Sequence, residues 1–268
     1  MLSAVETAVE HLEQIERLRA QAADQLKGKI IALASDKGGI GKTTLAVEVA
    51  YCLGAVLIDG DWHDGNASRS LGWRHERRLT ETSPFLAAIQ SDRVPRPIKG
   101  GRAKPDLVPS GPDLEAGQPS RGVTATALVK WAEALERPLV VDTHPGGGPV
   151  ANDACAEAHA ILAPVPLAEK DLDSLEGWCE AMAGYPLMLV PSKVPPVPPA
   201  AQLDRLEKIA ERYELPVASP IAFRSFLQTR LARTAVSSTV RLSPKNAAVI
   251  PAFMSVSSEV LQYASAVA

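Results

Sequence analysis

The segment Asp36-Lys37-Gly38-Gly39-Ile40-Gly41-Lys42-Thr43-Thr44 constrains this chain more than any other. Before it lies Lys29–Ala34, a short continuous apolar run of the kind a buried parallel strand shows. After it, Thr43–Leu53 has helical character and ends at Gly54. The glycines let the backbone turn tightly between the two elements and aim successive N–H groups at one point. Lys42 adds a cation, the Thr43 hydroxyl is placed for Mg2+, and the helix start adds its positive end. Strand, glycine loop and helix in that order predict a phosphate-binding loop, although Asp36 stands where a strict G-x-x-x-x-G-K-[ST] pattern has glycine.

The remaining chain repeats the theme. Ala55–Ile58 is a second buried run stopping at Asp59, and Pro138–Val141 is another stopping at Asp142. Ile161–Val165 and Leu187–Val190 are two more. Short strands alternating with helical stretches predict an α/β domain with a doubly wound, mostly parallel sheet. Ligands of such sheets sit at the carboxyl ends of the strands, where the glycine-rich and acidic clusters fall here. Residues 1–28 read as one amphipathic helix ahead of a single domain over 29–268, with Val5, Leu12, Ile15, Ala22 and Leu26 at helical spacing. Two stretches look irregular: 91–122, rich in Pro, Gly, Arg and Lys, and the proline-rich connection 191–200.

Composition excludes several classes. The formal charge of −3 gives no global basic field, so any nucleic-acid contact must come from a local patch. Cys52, Cys155 and Cys179 are three widely spaced thiols without a CxxC pair, which fits a reducing cytoplasm and neither a disulfide framework nor a zinc site. No apolar run approaches a membrane span, and no membrane partner is expected.

Lys37 is a second lysine in the loop, and one nucleotide bound in cis does not need it. With it the loop resembles the deviant Walker A signature KGGxGKT[T] of the ParA/MinD superfamily of P-loop NTPases, a resemblance running from about Lys29 to about Val165. The resemblance implies that Lys37 reaches across an ATP-sandwiched homodimer to the partner's phosphates. It also implies that Gly38, Gly39, Ile40, Gly41, Lys42, Thr43 and Thr44 bind ATP with Mg2+. In Val56-Leu57-Ile58-Asp59-Gly60-Asp61 it gives Asp61 the attacking water and Asp59 the metal region, while Asp142 fits the Walker B aspartate. Where the family often has Pro-Gln after the second aspartate, this chain has Trp62-His63-Asp64; where it often has Pro-Pro after Walker B, this chain has His144-Pro145. His63, with a side chain able to act as a base, reads as a solvent-facing loop residue.

Within the superfamily the chain is most similar to the ParA branch. It lacks cysteines placed to bridge a dimer, and its tail, Ser257–Ala268, has no Lys or Arg and reads as a helix packed on the sheet. The branch implies a cytoplasmic, nucleoid-associated ATPase for plasmid or chromosome partition. Its ATP dimer would bind non-specific DNA, and a ParB-like activator would stimulate slow hydrolysis. Candidate DNA contacts are Arg224, Arg230, Arg233, Arg241 and Lys245, with Arg230 and Arg233 on one face of a helix over 226–233. A second basic set is Arg93, Arg96, Lys99, Arg102 and Lys104. The competing readings are an ATPase that positions a protein cargo on the nucleoid, a non-hydrolysing nucleotide-sensing adaptor, and a metallocluster assembly factor.

Overall fold

The structure is a computed structural model and describes residues 4–63, 66–75, 82–240 and 243–267. Its centre is a six-stranded sheet formed by β1 (Ile30–Leu33), β2 (Val56–Gly60), β3 (Asp106–Val108), β4 (Leu139–Thr143), β5 (Ala160–Pro166) and β6 (Leu187–Ser192). The strand order is β3-β2-β4-β1-β5-β6, and every pair is parallel. β3 was hidden in the irregular segment, because only Leu107 and Val108 carry its apolar signal.

Because side chains alternate across a strand, the near-continuous apolar runs feed two cores. Ile31, Leu33, Leu57, Val140 and Leu162 pack on one face; Ile30, Ala32, Val56, Ile58, Val141 and Ile161 pack on the other. The first face is covered by α1 (Ala4–Gln25), α2 (Lys42–Cys52) and, at the far end of the chain, α12 (Ile250–Ala266). Between α2 and α12 come the single turn α3 (Ala67–Ser70), α4 (Pro84–Gln90), the turn α5 (Asp113–Ala116), α6 (Val123–Leu135), α7 (Pro149–Ala156), α8 (Glu169–Ala181), α9 (Ala200–Arg212), α10 (Ser225–Thr229) and the turn α11 (Pro244–Ala247). Of these, α4, α5, α6, α7, α8 and α9 supply the second core.

α2 is apolar nearly all round, as a helix between a sheet and two other helices must be. α1 buries Ile15, Ala22 and Leu26 against this layer. Arg19 fastens it further: Nε donates to the Tyr51 carbonyl at 3.0 Å, and the guanidinium lies 4.3 Å from the centre of the Tyr51 ring. The chain's tail forms a helix, as its sequence predicts, packed on α2, α1 and β5.

The helix expected over 226–233 is shorter. α10 stops at Thr229, and Arg230 leaves it in extended conformation with φ −68° and ψ 123°. Its guanidinium donates to the Thr234 carbonyl, to Thr234 Oγ1 at 2.8 Å and to the Ala235 carbonyl, folding a turn in place of further helix.

Candidate functional site

The phosphate loop leaves the carboxyl end of β1, which lies between β4 and β5, and enters α2 at Lys42. Gly39 (φ 75°) and Gly41 (φ 105°) occupy the left-handed region, where a side chain at either position would be strained. The loop is also held from the β6 side: Ser192 Oγ donates to the Ile40 carbonyl at 3.0 Å, and Lys193 donates to the Gly39 carbonyl.

Strand register brings the acidic residues together. Asp59 on β2 pairs directly with Asp142 on β4, and both are fully buried. Gly60 makes the approach feasible, since a Cβ there would come within 3.2 Å of the Asp142 carbonyl. Lys42 supplies the counter-charge, with Nζ 3.1 Å from Asp142 Oδ1 and a second donation to the Thr143 carbonyl. Burial, and then the neighbouring Asp142, hold the Asp59 carboxyl well above the usual carboxylate range. Burial raises Asp142 as well, opposed by Lys42 and the Thr43 hydroxyl.

The two carboxylates do different work. Asp59 Oδ2 accepts from the Ser68 N–H (2.7 Å) and the Ser68 hydroxyl, and Oδ1 accepts from the Asp61 N–H at 3.1 Å. It therefore organises the loop behind β2 before any ion is considered. Asp142 Oδ2, in contrast, is buried without a partner. A buried anionic oxygen without a donor is costly, and a hard cation or its water answers it. The oxygen-only donors around it, Asp142 and the Thr43 hydroxyl, with Asp59 one strand away, fit Mg2+. Bound there, Mg2+ neutralises charge on the terminal phosphates of ATP.

Asp61 sits at the mouth of this site, 7% exposed. Its carbonyl is clamped by Asn66 Nδ2 and Ser110 Oγ, each at 2.8 Å, while Asn66 Oδ1 caps α3 through the Arg69 N–H at 2.9 Å. Asp61 Oδ1 accepts from the His63 N–H at 3.0 Å and lies 2.9 Å from His144 Nδ1. The His144 ring stacks on Trp62 with centroids 3.9 Å apart. Asp64 and Gly65 lie outside the described residues. Lys37 reaches the first turn of α8, with Nζ 2.6 Å from the Lys170 carbonyl and 3.0 Å from Asp171 Oδ1.

Together the loop and Asp61 form one wall of a cleft of about 440 Å³. The far wall comes from Lys193, Ile221–Arg224, Leu227, Gln228 and Phe253. Cationic glycine loop, paired buried carboxylates and an adjoining wall that mixes apolar side chains with Lys193, Arg224 and Gln228 thus meet at one cleft.

Residues 31–235 match the CobQ/CobB/MinD/ParA nucleotide binding domain. The chain belongs to this family. It is 28% identical over 167 residues to the chromosome partitioning protein ParA of Caulobacter vibrioides, covering 58% of this chain and 61% of that protein. It is 31% identical over 163 residues to the chromosome-partitioning ATPase Soj of Thermus thermophilus, covering 57% and 61%. The matched region thus spans about 61% of the length of these relatives. Apo McdA of Cyanothece superposes with a TM-score of 0.67 at 16% identity, covering 87% of this chain and 99% of that one, a likeness of fold.

In this ParA/MinD-family domain the glycine loop lies between β1 and α2, and the basic residues expected on one surface are divided. Arg224 lines the nucleotide cleft, and its Nε is buried without a partner. Arg230 and Arg233 line a separate cleft of about 330 Å³ on the other side of Thr44, together with Arg69 and Arg74. Arg230 is half-buried and attracted by the buried carboxyl of Glu48. Lys245 is exposed on α11, and Arg241 lies outside the described residues. In the second basic set, Lys99 pairs with Asp106 at 2.9 Å, and Lys104 Nζ donates to the Leu71 carbonyl at 2.8 Å. Among the described residues no helix is long and apolar enough to cross a membrane.

Sequence reasoning did not find the far wall of the cleft, the arginines at 69 and 74, or the His144–Asp61 contact. For the first there is no local signal, because the wall is assembled from segments around 193, 221–228 and 253. For the last, the departure from Pro-Pro at His144 was visible and its partner was not.

Proposed function

We propose that this chain is an ATP-dependent dimerising switch of the partition type. ATP with Mg2+ occupies Gly38–Thr44; Lys42 binds the β- and γ-phosphates, and Thr43 and Asp142 hold the ion, with Asp59 fixing the adjoining loop. Asp61 orients the attacking water. Lys37 completes the partner's site, so nucleotide binding and dimerisation are one event. The ATP dimer binds non-specific DNA at the nucleoid, and a ParB-like protein stimulates a slow hydrolysis that releases it. The cleft of Arg69, Arg74, Arg230 and Arg233 supports a contact with phosphate backbone, since four guanidinium groups line one surface of an otherwise acidic chain.

Lys37 is the observation that carries this reading. Lys42 already supplies the loop's cation in cis, and Lys37, at the edge of the same cleft, is held by the first turn of α8. A lysine at that position serves a second nucleotide. The test is co-sedimentation with non-specific DNA in ATP, in ADP and without nucleotide. Salt-sensitive binding in ATP alone, lost in Lys37→Ala and in Lys42→Ala, is the expected result. Equal binding in all three nucleotide states sinks the proposal.

A further inference from the structure

We propose that Asp61, His63 and His144 form a binding site for a divalent transition-metal ion of the zinc class, separate from the Mg2+ position at Thr43 and Asp142. A carboxylate oxygen and two imidazole nitrogens offer ligand atoms that all lie within 4.8 Å of one another. Two of them are already at coordination spacing: Asp61 Oδ1 and His144 Nδ1 are 2.9 Å apart, close to the edge of about 3.3 Å of a tetrahedron with bonds near 2.0 Å. The His63 and His144 rings meet edge to face with centroids 4.4 Å apart, so a small swing of the exposed His63 ring closes the third bond.

The set is chemically distinct from its neighbour. Thr43 and Asp142 present only oxygen, which suits Mg2+, whereas two imidazoles select zinc, cobalt, nickel or copper. Three protein ligands leave a fourth position open to water. The surroundings hold the ligands in place, since Trp62 stacks on His144 at 14° between planes and Asn66 and Ser110 fix the Asp61 backbone. The exposed edge at His63 gives the ion an entry path.

Two of the three ligands lie where this chain departs from the family pattern, at His63 behind Asp61 and at His144 in front of Pro145. An ion held there engages Asp61, and this consequence rests on the proposed role of Asp61 in orienting water. Hydrolysis then becomes sensitive to transition metal, while the phosphate loop itself is left open.

The test is a Co2+ titration of the full nucleotide-free chain, read by visible ligand-field absorption and by quenching of Trp62 fluorescence. One saturating equivalent, displaced by Zn2+ and not by Mg2+, is expected. His63→Ala and His144→Ala should each weaken it by more than about 10-fold, the lower limit for loss of metal-site partners. His63 is exposed, so its variant keeps the fold, which a thermal melt verifies. Trp62→Phe should remove most of the quenching and keep the absorption. No saturable absorption in the wild type, or unchanged affinity in either histidine variant, overturns the site. Co2+ binding in a protein that shows no ATP turnover would instead overturn the hydrolytic reading and leave the site standing.

Discussion

Lys37 and Asp171 form an ion pair at 3.0 Å, joining the phosphate loop to the first turn of α8 within one chain. Lys170 strengthens it by offering its backbone carbonyl to the same ammonium at 2.6 Å. Lys37 is thus occupied in cis, and the proposed reach to a partner's phosphates would require this pair to open. The pair is partly exposed, with side-chain exposures of 34% and 14%, so its strength is modest.

Asp171→Asn should therefore favour the dimer. The ATP concentration for half-maximal dimerisation is expected to fall by about 2–5-fold, the range for a partly exposed pair. Light scattering coupled to size exclusion measures it. An increase in that concentration would mean that Asp171 acts in the dimer, not against it.

Lys42 and Asp142 make the complementary case in the interior. Lys42→Ala leaves Asp142 buried beside Asp59 without its cation, a loss of about 3–5 kcal/mol for a broken buried pair. Asp142 can escape part of that cost by taking a proton, and burial already raises its carboxyl. The loss should accordingly be largest on the alkaline side and shrink as pH falls, in urea melts at about pH 5 and pH 8. Asp142→Asn should instead reduce the gain in ATP affinity that Mg2+ gives over EDTA, because the unpartnered Oδ2 is one of the oxygens that would hold the ion. Calorimetry distinguishes the two variants.

The sequence makes a site legible where the chemistry is local and loses it where the chemistry is assembled. Five strands are readable because each is one short apolar run, two of them stopping at Asp59 and Asp142, and the phosphate loop because its glycines and lysines are contiguous; strand register alone then joins Asp59 to Asp142. β3 escapes because three residues, Asp106–Val108, form a sheet edge inside a Pro- and Gly-rich stretch. The helix over 226–233 is over-extended because its spacing is helical, yet Arg230 finds better acceptors at Thr234 and Ala235. His144 and Asp61 are separated by 83 residues, and no periodicity announces their contact.

Glu48 ties α2 to the turn that Arg230 shapes. Its carboxylate accepts from the Val236 N–H and from the Ser237 N–H at 2.9 Å, fully buried. Desolvation nevertheless raises its pKa above 4.5. A raised folded-state pKa gives stability that is complete below the unfolded value and is lost as pH rises through the folded one. Glu48→Gln, which does not titrate, should cost about 1–3 kcal/mol through its lost acceptor, most at the acid end of that window. Melting temperatures of both proteins from about pH 4.5 to pH 8 test the sign. A gap that widens toward alkaline pH would contradict it.

The three thiols bear on the cluster-assembly alternative. Cys52 and Cys155 are pushed up to about 12, and Cys179 to about 11, in each case chiefly by burial. All three are buried and free. At about pH 8 thiolate is then scarce, on the order of one in a thousand or fewer, and thiolate is the species that binds a cluster or attacks a reagent. The native protein should resist a disulfide reagent for hours and release three equivalents once unfolded, with nucleotide making no difference. The same shifts set a stability limit: the benefit is complete below the unfolded value of about 8.5 and fades as pH rises toward the folded values. Rapid labelling of Cys155 in the native chain would show that α7 opens, and would return a bridging cluster to consideration.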